Sequence, residues 1–159
     1  MRGKLTLLSG VIAAAVVVSA AASTAAAKPK ATKITCQSTV YYPAPTQPKG
    51  VAFAYENCPK PGAGVGVQSI TYNATISSTG AVTAKLAFKD WFDTGTTRGT
   101  ASFTGKFTSA TKRTVKGPVT ITGGTGAYKA VRGKGTTSCS TNDGGAVYRC
   151  TTLLKLTGL

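Results

Sequence analysis

The stretch "SITYNATISSTGAVTAKLAFK", residues 69–89, alternates apolar and polar side chains twice over, with a break at "STG", residues 78–80. Ile70, Tyr72, Ala74 and Ile76 share one parity, while Ser69, Thr71, Asn73 and Thr75 share the other. Successive side chains of extended backbone point to opposite sides, so a two-residue period is that of a strand with one buried face. Val82, Ala84, Leu86 and Phe88 repeat the rule against Thr83, Lys85 and Lys89. Two such runs joined by a tight glycine-containing turn predict a β-hairpin.

The same period continues in both directions. Ala101, Phe103 and Phe107 alternate with Ser102, Thr104 and Lys106, and Val115, Val119 and Ile121 with Thr114, Lys116 and Thr120. With "KITCQSTVYY", "VAFAYEN", "AYKAVRGKGTT" and "AVYRCTTLLKL" the total is about eight strands, and no helical period competes. The class is therefore all-β, and one antiparallel barrel is expected. Inward positions that mix Ala and Gly with Phe, Tyr and Leu suit a narrow closed barrel better than a sandwich with two inner faces. Pro43, Pro45, Pro48, Pro59 and Pro61 crowd residues 43–64, which predicts loop around one short strand.

Residues 1–27 carry an export signal: Arg2 and Lys4, an apolar run from Leu5 to about Ala22, and small residues at Ala25 and Ala27. Cleavage after Ala27 is expected, which makes residues 28–159 the secreted barrel domain and an uncleaved anchor the less favoured rival. Removing Arg2 and Lys4 takes the formal charge from +15 to +13, on a chain without histidine. Lys85, Lys89, Lys106 and Lys116 are scattered through strand-like runs, the pattern of a solvated face that blunts sheet edges. An anionic cell envelope, nucleic acid or acidic polysaccharide is the partner such a surface would attract weakly and without specificity. No ribonucleoprotein motif accompanies the charge.

Cys36, Cys58, Cys139 and Cys150 all follow the leader, and an even count in an exported chain reads as two disulfides. Three pairings are open. Cys36–Cys58 with Cys139–Cys150 is favoured because each pair flanks a turn-rich segment. A zinc site is disfavoured, since no C-x-x-C pair exists, and no metal or other cofactor is expected.

"GGTGAYKAVRGKG", residues 123–135, raises the question of a phosphate loop. A Walker loop requires G-x-x-x-x-G-K and then Ser or Thr leading into a helix, but Gly135 follows Lys134 and Tyr128 occupies the first glycine's place. Gly123, Gly124 and Gly126 instead predict a hairpin turn, and Gly133 and Gly135 a bulge or close approach in the next strand. The segment Gly123-Gly124-Thr125-Gly126-x-Tyr128-x-x-Val131-Arg132-Gly133 resembles the corresponding hairpin of plant dirigent proteins and of allene oxide cyclases. The resemblance implies an eight-stranded barrel with a central cavity. Val131 stands where those families usually have alanine, and the two cysteine pairs lie outside their pattern. Dirigent proteins steer radical coupling and allene oxide cyclases close a ring, and neither activity follows from a hairpin alone.

Asp93-Thr94-Gly95 matches the aspartic-protease triplet, but that chemistry needs two such aspartates, so a turn is expected. Asp90 has the parity of Leu86 and Phe88 and is expected at the barrel end, with Arg98 or Arg132 as its ion partner and Tyr128 and Trp91 beside it. Asp90, Arg132 and Tyr128 are the catalytic candidates; Arg98, Trp91, Phe88, Phe103 and Tyr72 are the ligand-binding ones. Glu56, Asp90, Asp93 and Asp143 are all the acids there are, so glycoside hydrolysis has few carboxylates to draw on and histidine-dependent triads have none. Asn73-Ala74-Thr75 is a glycosylation sequon by pattern only. A non-catalytic ligand- or surface-binding barrel is favoured; a small cyclase or isomerase acting on an apolar substrate in the cavity is the alternative, and an envelope polyanion binder the second. A barrel axis filled by Phe88, Phe103, Phe107 and Leu154 would count against any internal ligand.

Overall fold

The computed structural model describes residues 30–159 except residue 45; the leader expected over residues 1–27, and Pro45, lie outside the described residues. Eight strands follow one another: β1 (Thr32–Tyr41), β2 (Lys49–Cys58), β3 (Gly64–Ile76), β4 (Ala81–Phe92), β5 (Gly95–Phe107), β6 (Arg113–Gly126), β7 (Arg132–Thr141) and β8 (Val147–Thr157). Each pairs antiparallel with the next, and β8 pairs with β1, from Thr32 opposite Leu156 to Tyr41 opposite Val147. The sheet is a closed barrel. Closure removes every free edge, the liability that scattered lysines alone would only blunt.

The period-two reading decides which side chains enter. Ile70 and Tyr72 of β3, Val82 and Leu86 of β4, Ala101 and Phe103 of β5, and Val115, Val119 and Ile121 of β6 are buried, while Lys85, Lys89, Lys106 and Lys116 are exposed on the outer wall. Residues 43–64 contain more order than the prolines suggest, because β2 fills ten of them and buries Ala52 and Ala54. The prolines described there lie outside the strand.

Cys36 pairs with Cys58 and Cys139 with Cys150, each bond joining residues directly opposite or in line on adjacent strands. All four half-cystines face inward. The bonds tie β1 to β2 and β7 to β8, one on either side of the β8–β1 seam that closes the barrel.

Residues 123–135 form a hairpin, but its turn is displaced from the glycines. Gly123, Gly124 and Gly126 end β6, and residues 127–130 turn through Tyr128 N–H to the Thr125 carbonyl, 3.0 Å, and Val131 N–H to the Tyr128 carbonyl, 3.1 Å. "AYKA" is thus a turn and not the start of a strand, because these local bonds take the backbone groups a ladder would use. The irregularity in the sheet lies at Thr122, the extra residue where Arg98 opposes Gly123 and Gly99 opposes Ile121. Gly133 and Gly135 are close-approach positions without a bulge: a Cβ at either would overlap a carbonyl oxygen of β8, that of Lys155 or of Leu153.

Candidate functional site

The barrel axis is open. A cavity of about 360 Å³ runs through it, with an apolar middle that includes Ile70, Leu86, Phe88, Phe103, Val119 and Leu154. Small side chains opposite large ones leave this space: Ala84 and Ala101 also line it, and Phe107 packs at its edge under Arg113.

One end of the cavity is acidic. Gln68 of β3, Asp90 of β4 and Thr97 of β5 are direct cross-strand partners in a single row. Gln68 Nε2 donates to Asp90 Oδ1 at 2.6 Å, and Thr97 Oγ1 donates to Asp90 Oδ2. Asp90 is only 3% exposed. Glu56 of β2 faces the same space, its carboxyl grouped with the sulfurs of Cys36 and Cys58 within 4.8 Å. Those sulfurs are bonded to each other, so this group offers a carboxylate and a disulfide in place of thiolate ligands.

Burial disfavours charge on both acids, and the Asp90 charge raises Glu56 further. They titrate as a pair, with values pushed up to about 6 and about 8. Two donors hold Asp90 in its ionised form, so Asp90 loses its proton first and Glu56 keeps one through neutral pH. At that pH the end of the cavity presents one proton donor beside one acceptor.

The opposite end is basic and aromatic. Arg113, the first residue of β6, is 8% exposed, and its guanidinium carbon sits 3.8 Å from the Phe107 ring centre. Tyr42 packs edge-on against Tyr72 at 5.1 Å and Tyr148 at 5.4 Å between ring centres. Burial pushes the Tyr42 and Tyr148 hydroxyls above the ordinary tyrosine range, and Arg113 opposes the shift at both. Tyr72 Oη donates to the Ala44 carbonyl at 3.1 Å, which draws the β1–β2 connection over this end.

Of the candidates read from sequence, Asp90, Tyr128, Phe88, Phe103 and Tyr72 line the cavity. Arg98, Arg132 and Trp91 do not. Arg98 and Arg132 are exposed, and Arg132 Nη1 donates to the Val131 and Lys129 carbonyls at 2.7 and 3.2 Å. Trp91 has the odd parity of Lys89, whose Nζ lies 5.0 Å from its ring on the outer wall. The ion pair expected at Asp90 is replaced by the amide and hydroxyl donors. Tyr128 Oη accepts from Thr94 Oγ1 at 3.0 Å and donates to the Ala63 carbonyl at 3.5 Å, so its hydroxyl is bonded at the acidic end to these groups and not to Asp90.

Sequence reasoning does not single out Glu56, Gln68, Thr97, Arg113, Tyr42 or Tyr148 as site residues. Parity marks five of them: Glu56 shares it with Ala52, Ala54 and Cys58, Gln68 with Ile70, Thr97 with Ala101 and Phe103, Arg113 with Val115, and Tyr148 with Cys150. Comparison with protein-family models, curated proteins and solved structures finds no match for this chain.

Proposed function

We propose that the chain is an exported, non-catalytic binding protein that takes one small, largely apolar molecule into its barrel. The observation that carries this reading is the open axis: about 360 Å³ falls within the few hundred cubic ångströms typical of small-molecule sites, with largely apolar walls, the charged groups toward the ends and the Thr137–Thr152 hydroxyl pair between them. The resemblance of residues 123–133 to the dirigent and allene oxide cyclase hairpin supports an internal ligand. The two disulfides support a working place outside the reducing cytosol, in the extracellular space.

The neutral dye N-phenyl-1-naphthylamine tests it, because its fluorescence rises on entering an apolar site. The expected result is one saturable site per barrel, weakened at least tenfold by Ala101→Trp, which fills the middle of the axis from β5. Ala87→Trp, on the outer face of β4, should leave it unchanged. Equal binding by all three proteins would place the dye on the surface and sink the proposal.

The Glu56–Asp90 pair favours a second reading, an isomerase or cyclase acting on the same class of molecule. An ionised Asp90 can accept a proton from carbon while a protonated Glu56 gives one to oxygen, which moves a double bond without any net redox change. A ligand recovered unchanged after long incubation keeps the binding reading. One recovered as its isomer transfers the function to the pair.

The charge of the exported chain has a separate consequence. Because the lysines are dispersed over the outer wall, association with heparin or DNA is expected to be measurable in dilute buffer. It should fall away near physiological salt, where the screening length is about 8 Å. Tight, discriminating binding at that salt would make a polyanion the physiological ligand.

A further inference from the structure

Among the described residues, Arg113 carries the one buried side-chain polar atom without a hydrogen-bond partner, its Nε. A guanidinium stays charged at any pH at which the protein folds, so unlike Glu56 it cannot relieve burial by shedding its charge. Its Nη2 donates to the Gly144 carbonyl at a long 3.4 Å and its face rests on Phe107, but its buried Nε has no hydrogen-bond partner. None of the four acids answers it. Glu56 and Asp90 stand at the far end of the cavity, and Asp93 lies in the exposed β4–β5 turn. Asp143, on the β7–β8 turn nearby, commits its oxygens to Thr141 Oγ1 and to the backbone N–H groups of Gly145 and Val147.

The surroundings complete a cradle. Tyr42 and Tyr148 bring hydroxyls near the guanidinium, and Gly145 borders the cavity beside them. A Cβ on Gly145 would stand 3.3 Å from Arg113 Nη1 and 3.4 Å from Tyr148 Oη, so its absence keeps the flank of the guanidinium open. A planar guanidinium fork is matched by a carboxylate, which accepts two parallel N–H bonds.

We infer that Arg113 anchors an anion subsite, and that the molecule held in the barrel is an amphiphile whose carboxylate head meets Arg113 while its apolar body lies along the axis. The inference rests on the reading of the barrel as a binder and adds the chemical class of the ligand. An amphiphile with a cationic head, drawn to the Glu56–Asp90 end, is the opposite expectation.

Three probes with the same chain separate these cases: decanoate, decanol and decyltrimethylammonium, titrated at near-physiological salt against the bound neutral dye. Decanoate should displace the dye one to one and at least tenfold more tightly than decanol, the margin of a buried charge-assisted pair, with the ammonium weakest. Arg113→Met should abolish that preference while leaving decanol within about threefold. Arg113→Lys, which keeps the charge without the fork, and Tyr148→Phe should each lose part of it, and they serve if the methionine variant fails to fold. Decanoate and decanol binding alike would overturn the subsite and leave the binder standing. Tighter binding of the ammonium would overturn it in favour of the acidic end. Failure of the dye and all three probes to bind would remove both readings together.

Discussion

Reduction of both disulfides is expected to lower the unfolding free energy by about 6 kcal/mol, enough to leave little or no folded barrel at physiological temperature. The two bonds close separate chain segments, with separations of 22 and 11 residues, so each restricts a different part of the unfolded chain. For loops of that size the chain-entropy contribution is about 3 kcal/mol per bond, and because the loops do not overlap the two should add. Against the ~5–15 kcal/mol net stability of an ordinary domain this sum is decisive. Urea titration of the oxidised protein, the reduced protein, and the paired variants Cys36→Ala/Cys58→Ala and Cys139→Ala/Cys150→Ala measures each part. A reduced barrel with an unchanged urea midpoint would show that the bonds only decorate a self-sufficient core.

The acidic end makes the barrel less stable as pH rises through the neutral range, the reverse of the behaviour of a paired surface carboxylate. Glu56 and Asp90 have folded values above their unfolded ones, so the native state binds more protons than the unfolded state between those limits. Stability is then greatest below the unfolded carboxylate values, near pH 4, falls as pH rises from there toward the folded values of about 6 and about 8, and levels off once the native pair has itself deprotonated. Each tenfold difference in proton affinity between the folded and unfolded chain is worth about 1.4 kcal/mol. With Glu56 partly open to the cavity, a loss of about 3 kcal/mol is expected between about pH 5 and pH 8. Asp143 acts in the opposite sense: its hydrogen bonds hold it below the ordinary carboxylate range, so its contribution is lost only on stronger acidification. Thermal melts across the range read the effect, and Glu56→Gln/Asp90→Asn should flatten the curve and raise it at the alkaline end. A wild-type protein that gains stability from pH 5 to pH 8 would contradict the burial of the pair.

Period-two alternation carries the fold because a barrel wall has one dry and one wet face, and every strand reports its own parity. Parity puts Asp90 inside, and the structure agrees. The same rule, followed one step further, argues against Trp91, whose odd parity sends it outward with Lys89. It also points to Glu56, which lies in the strand-like run "VAFAYEN" with the parity of Ala52 and Ala54, and to Arg113, two positions before Val115. Other features have no local signature. Tyr42 lies beyond the end of β1 and is drawn in by contacts with Tyr72 and Tyr148, residues distant in sequence. The cavity is a difference between the circumference of the wall and the volume of the side chains inside, which no single segment contains.

The order of the sulfur bonds along the chain bears on how the molecule is made. Each cysteine is joined to the neighbour next to it in sequence, the first to the second and the third to the fourth. Were the chain to enter an oxidising space amino end first, as the proposed export would have it, Cys58 would meet Cys36 before Cys139 arrived to compete, and the remaining two would have only each other. Native connectivity is thus the one that oxidation in order of appearance produces, with no need for thiol exchange to correct it. The β1–β2 hairpin can be locked before the later strands arrive, whereas the β7–β8 bond waits for Cys150 in the last strand, beside the β8–β1 seam that closes the barrel.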